Sequence, residues 1–281
     1  MQANQTKRTG LLFIGGGLLF LLLALGFSLQ LSWAQALWPW PDERLSYLFI
    51  GAIMAAIAAP MIWIGLSGEF GAARGGAIHL ALAASGTAIY LFYLYNRNQD
   101  LQILVTALIF AIFVPLNIFI YRWSRRVPIR DQREKPIMVD FFLVFFVIVL
   151  VLVGWGLLRQ SPRVFPWHLN PESSILFGLL FIGTAAYFFT GLRMAGWHSA
   201  RGQLLAFLAF DLILIGPFLS YFDQAAGEHR TNLAIYTVVI VVSAALALYY
   251  LFIDKTTRSW QIEENPPNFA PSATTNEHVP Q

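Results

Sequence analysis

The run VDFFLVFFVIVLVLVGWGLL, residues 139–158, sets the terms for the whole chain. It is about the length a helix needs to cross the hydrocarbon core of a bilayer, roughly 20 residues. It does not alternate apolar and polar residues, as a strand of a membrane barrel would. In hydrocarbon every backbone N–H and C=O must find its partner within the segment, so such a run is expected to be helical. Seven further stretches have the same character. The spans are read at 10–31, 45–66, 76–95, 101–121, 137–158, 173–192, 203–222 and 231–253. Charged residues make up 12% of the chain, about half the roughly 25% of a soluble domain. The expected fold is all-α: a polytopic transmembrane helix bundle of about eight spans. No loop is long enough to hold a soluble domain.

The 281 residues include no cysteine. Disulfides, thiolate metal sites, cysteine nucleophiles and iron–sulfur clusters are therefore excluded within this chain. The net charge of +3 is small, and no basic tract resembles a nucleic-acid footprint. Lys and Arg gather in cytoplasmic loops of membrane proteins. With the N-terminus inside, 13 of the 18 basic residues fall on the cytoplasmic side and 5 outside. The segment YRWSRRVPIRDQREK is the main anchor. Both termini are thus expected to be cytoplasmic, in a bacterial plasma membrane. Lys7, Arg8, the first apolar stretch and Ala34-Gln35-Ala36 also mimic a secretory signal with its cleavage site. That stretch is longer than a signal core of about 7–15 residues, and the repeat described next requires the helix, so it is read as retained.

Trp38-Pro39-Trp40 recurs 127 residues on as Phe165-Pro166-Trp167. At the same offset Gly51 meets Gly178, Arg74-Gly75 meets Arg201-Gly202, and the first span falls on the fifth. An internal repeat is the reading. Four helices per unit makes the two repeats parallel, related by a pseudo-two-fold axis along the membrane normal. The expected organisation is a cytoplasmic N-terminus (1–9), a first repeat (10–127), a basic linker (128–136), a second repeat (137–254) and a disordered, Pro-rich tail (255–281). WPWPDERLSYLFIGAI and FPWHLNPESSILFGLL, each opening a helix followed by another that begins Ala-Arg-Gly, resemble a group of uncharacterised bacterial multi-pass membrane proteins with a duplicated W-P-W-x-L motif. Asp42 replaces the Leu of the first copy and Phe165 the first Trp of the second. The resemblance implies a membrane protein and carries no substrate, cofactor or catalytic residue.

Asp211 is the sharpest candidate site, in LLAFLAFDLILIGPFL near the middle of the seventh span. An intramembrane carboxylate costs about 2.5–3.5 kcal/mol and is a functional candidate by default, as a proton relay or ligand contact. A single neutral carboxyl bonded to a neighbouring helix is the plainer alternative. Tyr90, Tyr93, Asn117 and Thr87 are the plausible polar neighbours. His79 sits about one turn inside the third span and is read as an interfacial histidine bonded to a loop. The other histidines fall in loops or the tail, so no bis-histidine haem site forms. Asp140 suits a helix N-terminus, and Glu69 an ion pair with Arg74. Arg74 and Arg201 open equivalent spans. They read as membrane anchors or as paired sites for an anion or lipid headgroup. Trp38, Trp40, Phe165 and Trp167 are expected to anchor the outer headgroup layer, or else to cap a cavity between the repeats. The small residues Gly51, Ala55 and Ala59, and Ala77, Ala81 and Ser85, suit close helix packing.

No cofactor or metal is expected, and the evident partner is the lipid bilayer, with other membrane subunits in addition. Pro60, Pro115 and Pro217 have no proline at the matching positions, unlike the paired helix breaks of many transporters. The chain therefore reads first as a non-enzymatic scaffold or accessory subunit. The alternative is a transporter of a small molecule, ion or lipid with its site between the repeats. An enzyme would need several converging reactive groups, and few are available.

Overall fold

In the computed structural model, which describes residues 2–194 and 196–258, each apolar stretch is a helix. The described residues hold eight helices long and apolar enough to cross a membrane. They are α1 (Gln2–Ser28), α2 (Arg44–Ser67), α3 (Ala73–Asn98), α4 (Leu101–Ser124), α5 (Ile137–Leu158), α6 (Pro171–Arg193), α7 (Trp197–Tyr221) and α8 (Gly227–Leu248). A π-turn, Tyr249–Ile253, continues α8, and a 3-10 turn, Phe70–Ala72, precedes α3. The helix starts are built locally. The Asp100 and Asn170 carboxyl and amide oxygens accept from the Gln102 and Glu172 N–H at 2.8 and 3.1 Å, each filling one orphan donor of a first turn. The expected boundaries hold to within about four residues except at the starts of α1, which begins at Gln2 within the expected N-terminal segment, and of α7. That helix begins at Trp197 because Trp197 N donates to Arg133 O (2.8 Å) and Gly196 pairs with Glu134. His198, expected in a loop, is therefore a buried residue of a helical first turn.

Helices neighbouring in sequence form hairpins: α1 on α2, α3 on α4, α5 on α6, α7 on α8. Between hairpins, α2 packs on α7 and α3 on α6, while α2 barely touches α3, nor α6 α7. Exchanging each helix with the one four places on maps this set of pairs onto itself. The fine register agrees. A Cβ on Gly51 would lie 2.9 Å from Ala24 O and 3.1 Å from Ser28 N; one on Gly178 would lie 2.9 Å from Gly154 O and 3.0 Å from Leu158 N. Glycine is what lets these backbones approach. The contacts correct one expectation. The first span matches the fifth at an offset of 130 (158 − 28), not 127, and Gln30 and Gln160 repeat the same left-handed turn at φ 53° and 55°. The first connection holds an extra single turn of helix, Ser32–Gln35, and the 127 register resumes beyond it.

At the end of the bundle carrying Trp38, Phe165 and Trp167 are core rather than headgroup anchors, and Trp38 and Trp40 are half-buried beside them. Phe165 and Trp167 are buried, and their rings stack at 4.6 Å. Phe49 sits among Phe165, Phe177 and Phe210 at 5.0–5.4 Å. Trp38 stacks on Phe177 and Trp40 meets Trp38 edge-on. Most of the polar ties here join residues far apart in the chain. Trp167 Nε1 donates to Ser46 Oγ (2.9 Å). The Asp42 carboxylate accepts from Trp38 Nε1 (3.0 Å), Asn170 N (3.2 Å) and Ser173 Oγ. Asp42 thus bridges two distant segments of the chain. Asp42→Ala should lower stability by about 1–2 kcal/mol, the cost of leaving half-buried donors without their acceptor, as read by thermal melting in mild detergent.

The opposite, basic end is laced by the linker. The buried Glu69 carboxylate accepts from Arg130 N at 3.1 Å and Asp131 N at 2.9 Å, so its partners are linker amides and not Arg74. Burial raises the Glu69 carboxyl above its ordinary pKa, against the pull of those two N–H groups. Asp131 pairs with Arg133 (2.6 Å) and more distantly with Arg201 (3.9 Å). Burial works to raise Asp131 too, but the Arg133 hydrogen bond and charge more than offset it and hold the carboxyl below its usual range. Arg133 reaches the Thr256 and Arg258 carbonyls, and Lys135 the Gly191 and Met194 carbonyls and Asp140. Residues 255–258, expected in the loose tail, belong to this ordered end: Thr257 is buried and donates to Tyr250 O. The tail from 259 on lies outside the described residues.

Candidate functional site

The weak seams between α2 and α3 and between α6 and α7 leave space at the centre. A cavity of about 330 Å³ lies there, lined from all eight helices. This is within the range of small-molecule pockets, about 300–1,000 Å³. Its walls are mostly apolar. At mid-depth both halves contribute at matching positions: Ile53 and Leu180, Pro60 and Tyr187, His79 and Ala206. Away from the middle the cavity is skewed. Toward the basic end its lining comes from residues such as Phe13, Ala73, Gly76 and Ile120, all in the first half. Toward the tryptophan end it draws on Val153, Leu214 and Tyr236 in the second. It therefore runs obliquely through the bundle.

Three of the intramembrane polar residues singled out from sequence line this cavity: Asp211, His79 and Asn117. The fourth, Tyr90, lies elsewhere, stacked on Tyr93 and packed with Trp40 beside Leu91. Asp211 is 1% exposed, and Ser243 Oγ of α8 donates to its Oδ2 at 2.6 Å. That partner corrects the expected set of Tyr90, Tyr93, Asn117 and Thr87. No sequence pattern announces this pair: Asp211 lies ten residues before the end of α7 and Ser243 sixteen residues into α8. The Ser243 hydroxyl has one hydrogen and a second acceptor, Ile240 O, at 3.1 Å.

His79 is buried and its Nε2 lies 3.3 Å from Thr184 Oγ1 of α6. Thr184 already donates to Leu180 O (2.8 Å), which leaves its oxygen to accept from the His79 Nε2–H. The histidine expected to bond a loop instead joins α3 to α6 across the cavity. The Asn117 side-chain N–H₂ donates to Phe113 O at 2.8 Å. The Tyr236 hydroxyl is buried at the cavity wall with no hydrogen-bond partner among the described residues. The chemistry on offer is hydrogen bonding and one carboxyl within apolar walls.

Arg74 and Arg201 stay at the basic end and do not line the cavity. Arg74 Nε donates to Gly71 O (3.0 Å), and the Arg201 guanidinium lies 4.9 Å above the Trp63 ring. Compared with known proteins, the chain matches no family model, no curated protein and no solved structure.

Proposed function

We propose that the protein binds an apolar or amphiphilic small molecule in the central cavity and carries it between depths of the bilayer. The oblique cavity carries this reading. An apolar passage that favours one half at the basic end and the other half at the tryptophan end suits a ligand that moves along the membrane normal. A scaffold or accessory subunit would leave such a space, and the polar groups aimed at it, without a role. Asp211, His79 and Asn117 are then the orienting polar contacts of a mostly apolar pocket. The self-mapping pattern of helix pairs supports descent from two parallel four-helix repeats. The concentration of Arg and Lys at the linker end supports a cytoplasmic linker and cytoplasmic termini in a bacterial plasma membrane.

Two measurements test this. Protein purified in mild detergent should yield, on organic extraction and mass spectrometry, a co-purifying apolar or amphiphilic compound in near-stoichiometric amount. Adding it back should raise the melting temperature. Gly76 has open space where a Cβ would stand, so Gly76→Leu should fold and lose the compound. A cavity that yields nothing, or a Gly76→Leu protein that retains the compound in full, argues against the reading. For orientation, reporters fused at the N-terminus and within residues 128–136 should both read cytoplasmic, and an external signal at either would invert the assignment.

A further inference from the structure

We propose that the cavity is loaded sideways from the bilayer: the hydrocarbon chain of a membrane lipid passes through the cleft between α1 and α4. The inference rests on the ligand-binding reading above and adds the route and the chemical class.

Each half has such a cleft, because its two hairpins diverge. In the first half the cleft lies between α1 and α4, in the second between α5 and α8, and neither pair forms an extended interface. Near the basic end the two clefts are filled differently. In the second half Phe146 of α5 packs against Phe188 of α6 and Phe207 of α7 on the inner side of the cleft, with ring centroids 4.3 Å apart for Phe146 and Phe207 and 4.5 Å for Phe188 and Phe207. Phe146 and Phe188 are buried. At the offsets fixed by the helix contacts, the first half carries Gly16, Met61 and Leu80 in their places. Three packed rings, which also line the cavity, are replaced by a hydrogen, a flexible thioether that reaches over Gly16 and an isobutyl group, and Met61 and Leu80 line the cavity in their turn. Phe20 of α1 and Phe113, Leu116 and Asn117 of α4 continue the lining toward the cleft.

What can reach this opening follows from its rim. Phe13 stacks on Trp123 at 6.3 Å and meets Phe70 at 5.8 Å, closing the cleft against the basic end of the bundle. The outward residues beside it are apolar and exposed, among them Leu12, Leu19, Ile112 and Leu116. Within the bilayer such a rim is bathed in hydrocarbon, and a lipid chain meets no polar barrier before the cavity. Asp211 and Ser243 then lie deep on the far wall.

The test uses the full chain reconstituted in phosphatidylcholine nanodiscs containing a phospholipid with a diazirine in its acyl chain. After photolysis, labels are mapped by peptide mass spectrometry, with the lipid-facing Leu152, 66% exposed, as the internal control. Wild type should be labelled at cavity positions such as Asn117 and Thr184 as well as at Leu152. The double variant Met61→Phe/Leu80→Phe gives the first half two of the rings that the second half carries. Cavity labelling should fall several-fold while Leu152 labelling is unchanged. Leu116→Trp, at a half-exposed rim position, should do the same, and it decides the matter if the double variant fails to fold. A wild type labelled at Leu152 and nowhere in the cavity would overturn the ligand reading and this route together. A labelled wild-type cavity whose labelling survives the substitutions would leave the ligand and overturn the route.

Discussion

Glu69→Ala should cost about 1–3 kcal/mol of stability, because it removes the buried acceptor of two part-buried linker N–H groups. Those groups belong to Arg130 and Asp131, in the middle of the linker that joins the two halves. The effect should therefore appear in two readouts at once. Melting in mild detergent should fall, and trypsin should cleave after Arg130 or Arg133 in the variant under conditions that leave the wild-type linker intact. A variant that melts normally and resists trypsin would show that the linker is held by its other ties.

Glu69→Gln separates charge from shape. One oxygen, Oε2, already accepts from both amides, so a glutamine can preserve the geometry. The pH dependence has a definite sign. Burial sets the folded Glu69 above its ordinary value of 4.5, so the folded state holds this proton more tightly than the unfolded state. Its contribution is then fully present below 4.5 and falls as pH rises through the folded value. The margin of wild type over Glu69→Gln should be greatest in acid and shrink toward neutrality. A margin that grows with pH would mean that the ionised carboxylate is the better partner for the linker.

The eight helices were legible because hydrocarbon imposes one rule on every stretch: length, apolarity and internal hydrogen bonding. What hydrophobicity hides is which face of a helix meets lipid and which meets protein. In water an exposed Phe is conspicuous; in a membrane Phe165 and Phe119 read alike, yet the first is 1% and the second 66% exposed. That is why the Trp-Pro-Trp and Phe-Pro-Trp segments read as headgroup anchors. Their packing goes with polar ties made across the chain, Trp167 to Ser46 and Asp42 to Asn170 and Ser173, which no local pattern announces. His198 was misplaced for the opposite reason. A polar start, Trp-His-Ser-Ala-Arg, looks like a loop until the linker backbone fixes its first turn. The cavity was least legible of all, since it arises where α2 and α3, and α6 and α7, fail to pack. The plug of Phe146, Phe188 and Phe207 stands out only once α1 is aligned to α5 by its contacts, three residues from the register the motif suggests.

Asp211→Leu should fold at least as stably as wild type and should lose the ligand. The carboxyl is unfavourable in the middle of a span by about 2.5–3.5 kcal/mol. Removing it forfeits one hydrogen bond, and the partner left behind is not stranded, because the Ser243 hydroxyl can turn wholly to Ile240 O at 3.1 Å. The loss is then below the roughly 1–3 kcal/mol of a stranded buried donor, and the balance favours the leucine. A residue kept against its own stability is one kept for what it does. Asp211→Asn refines the role. It keeps the shape and one oxygen acceptor but carries no charge and exchanges no proton. A ligand that offers a neutral hydroxyl or amide should bind this variant within about tenfold of wild type, a difference of about 1.4 kcal/mol. A cationic head, or a proton carried with each cycle, should be lost with the carboxyl. The measurements are melting in mild detergent and the amount of compound that co-purifies with each variant. If Asp211→Leu melts several degrees below wild type, Asp211 is a structural link between α7 and α8. The cavity would then have to recognise its ligand through His79, Asn117 and Tyr236.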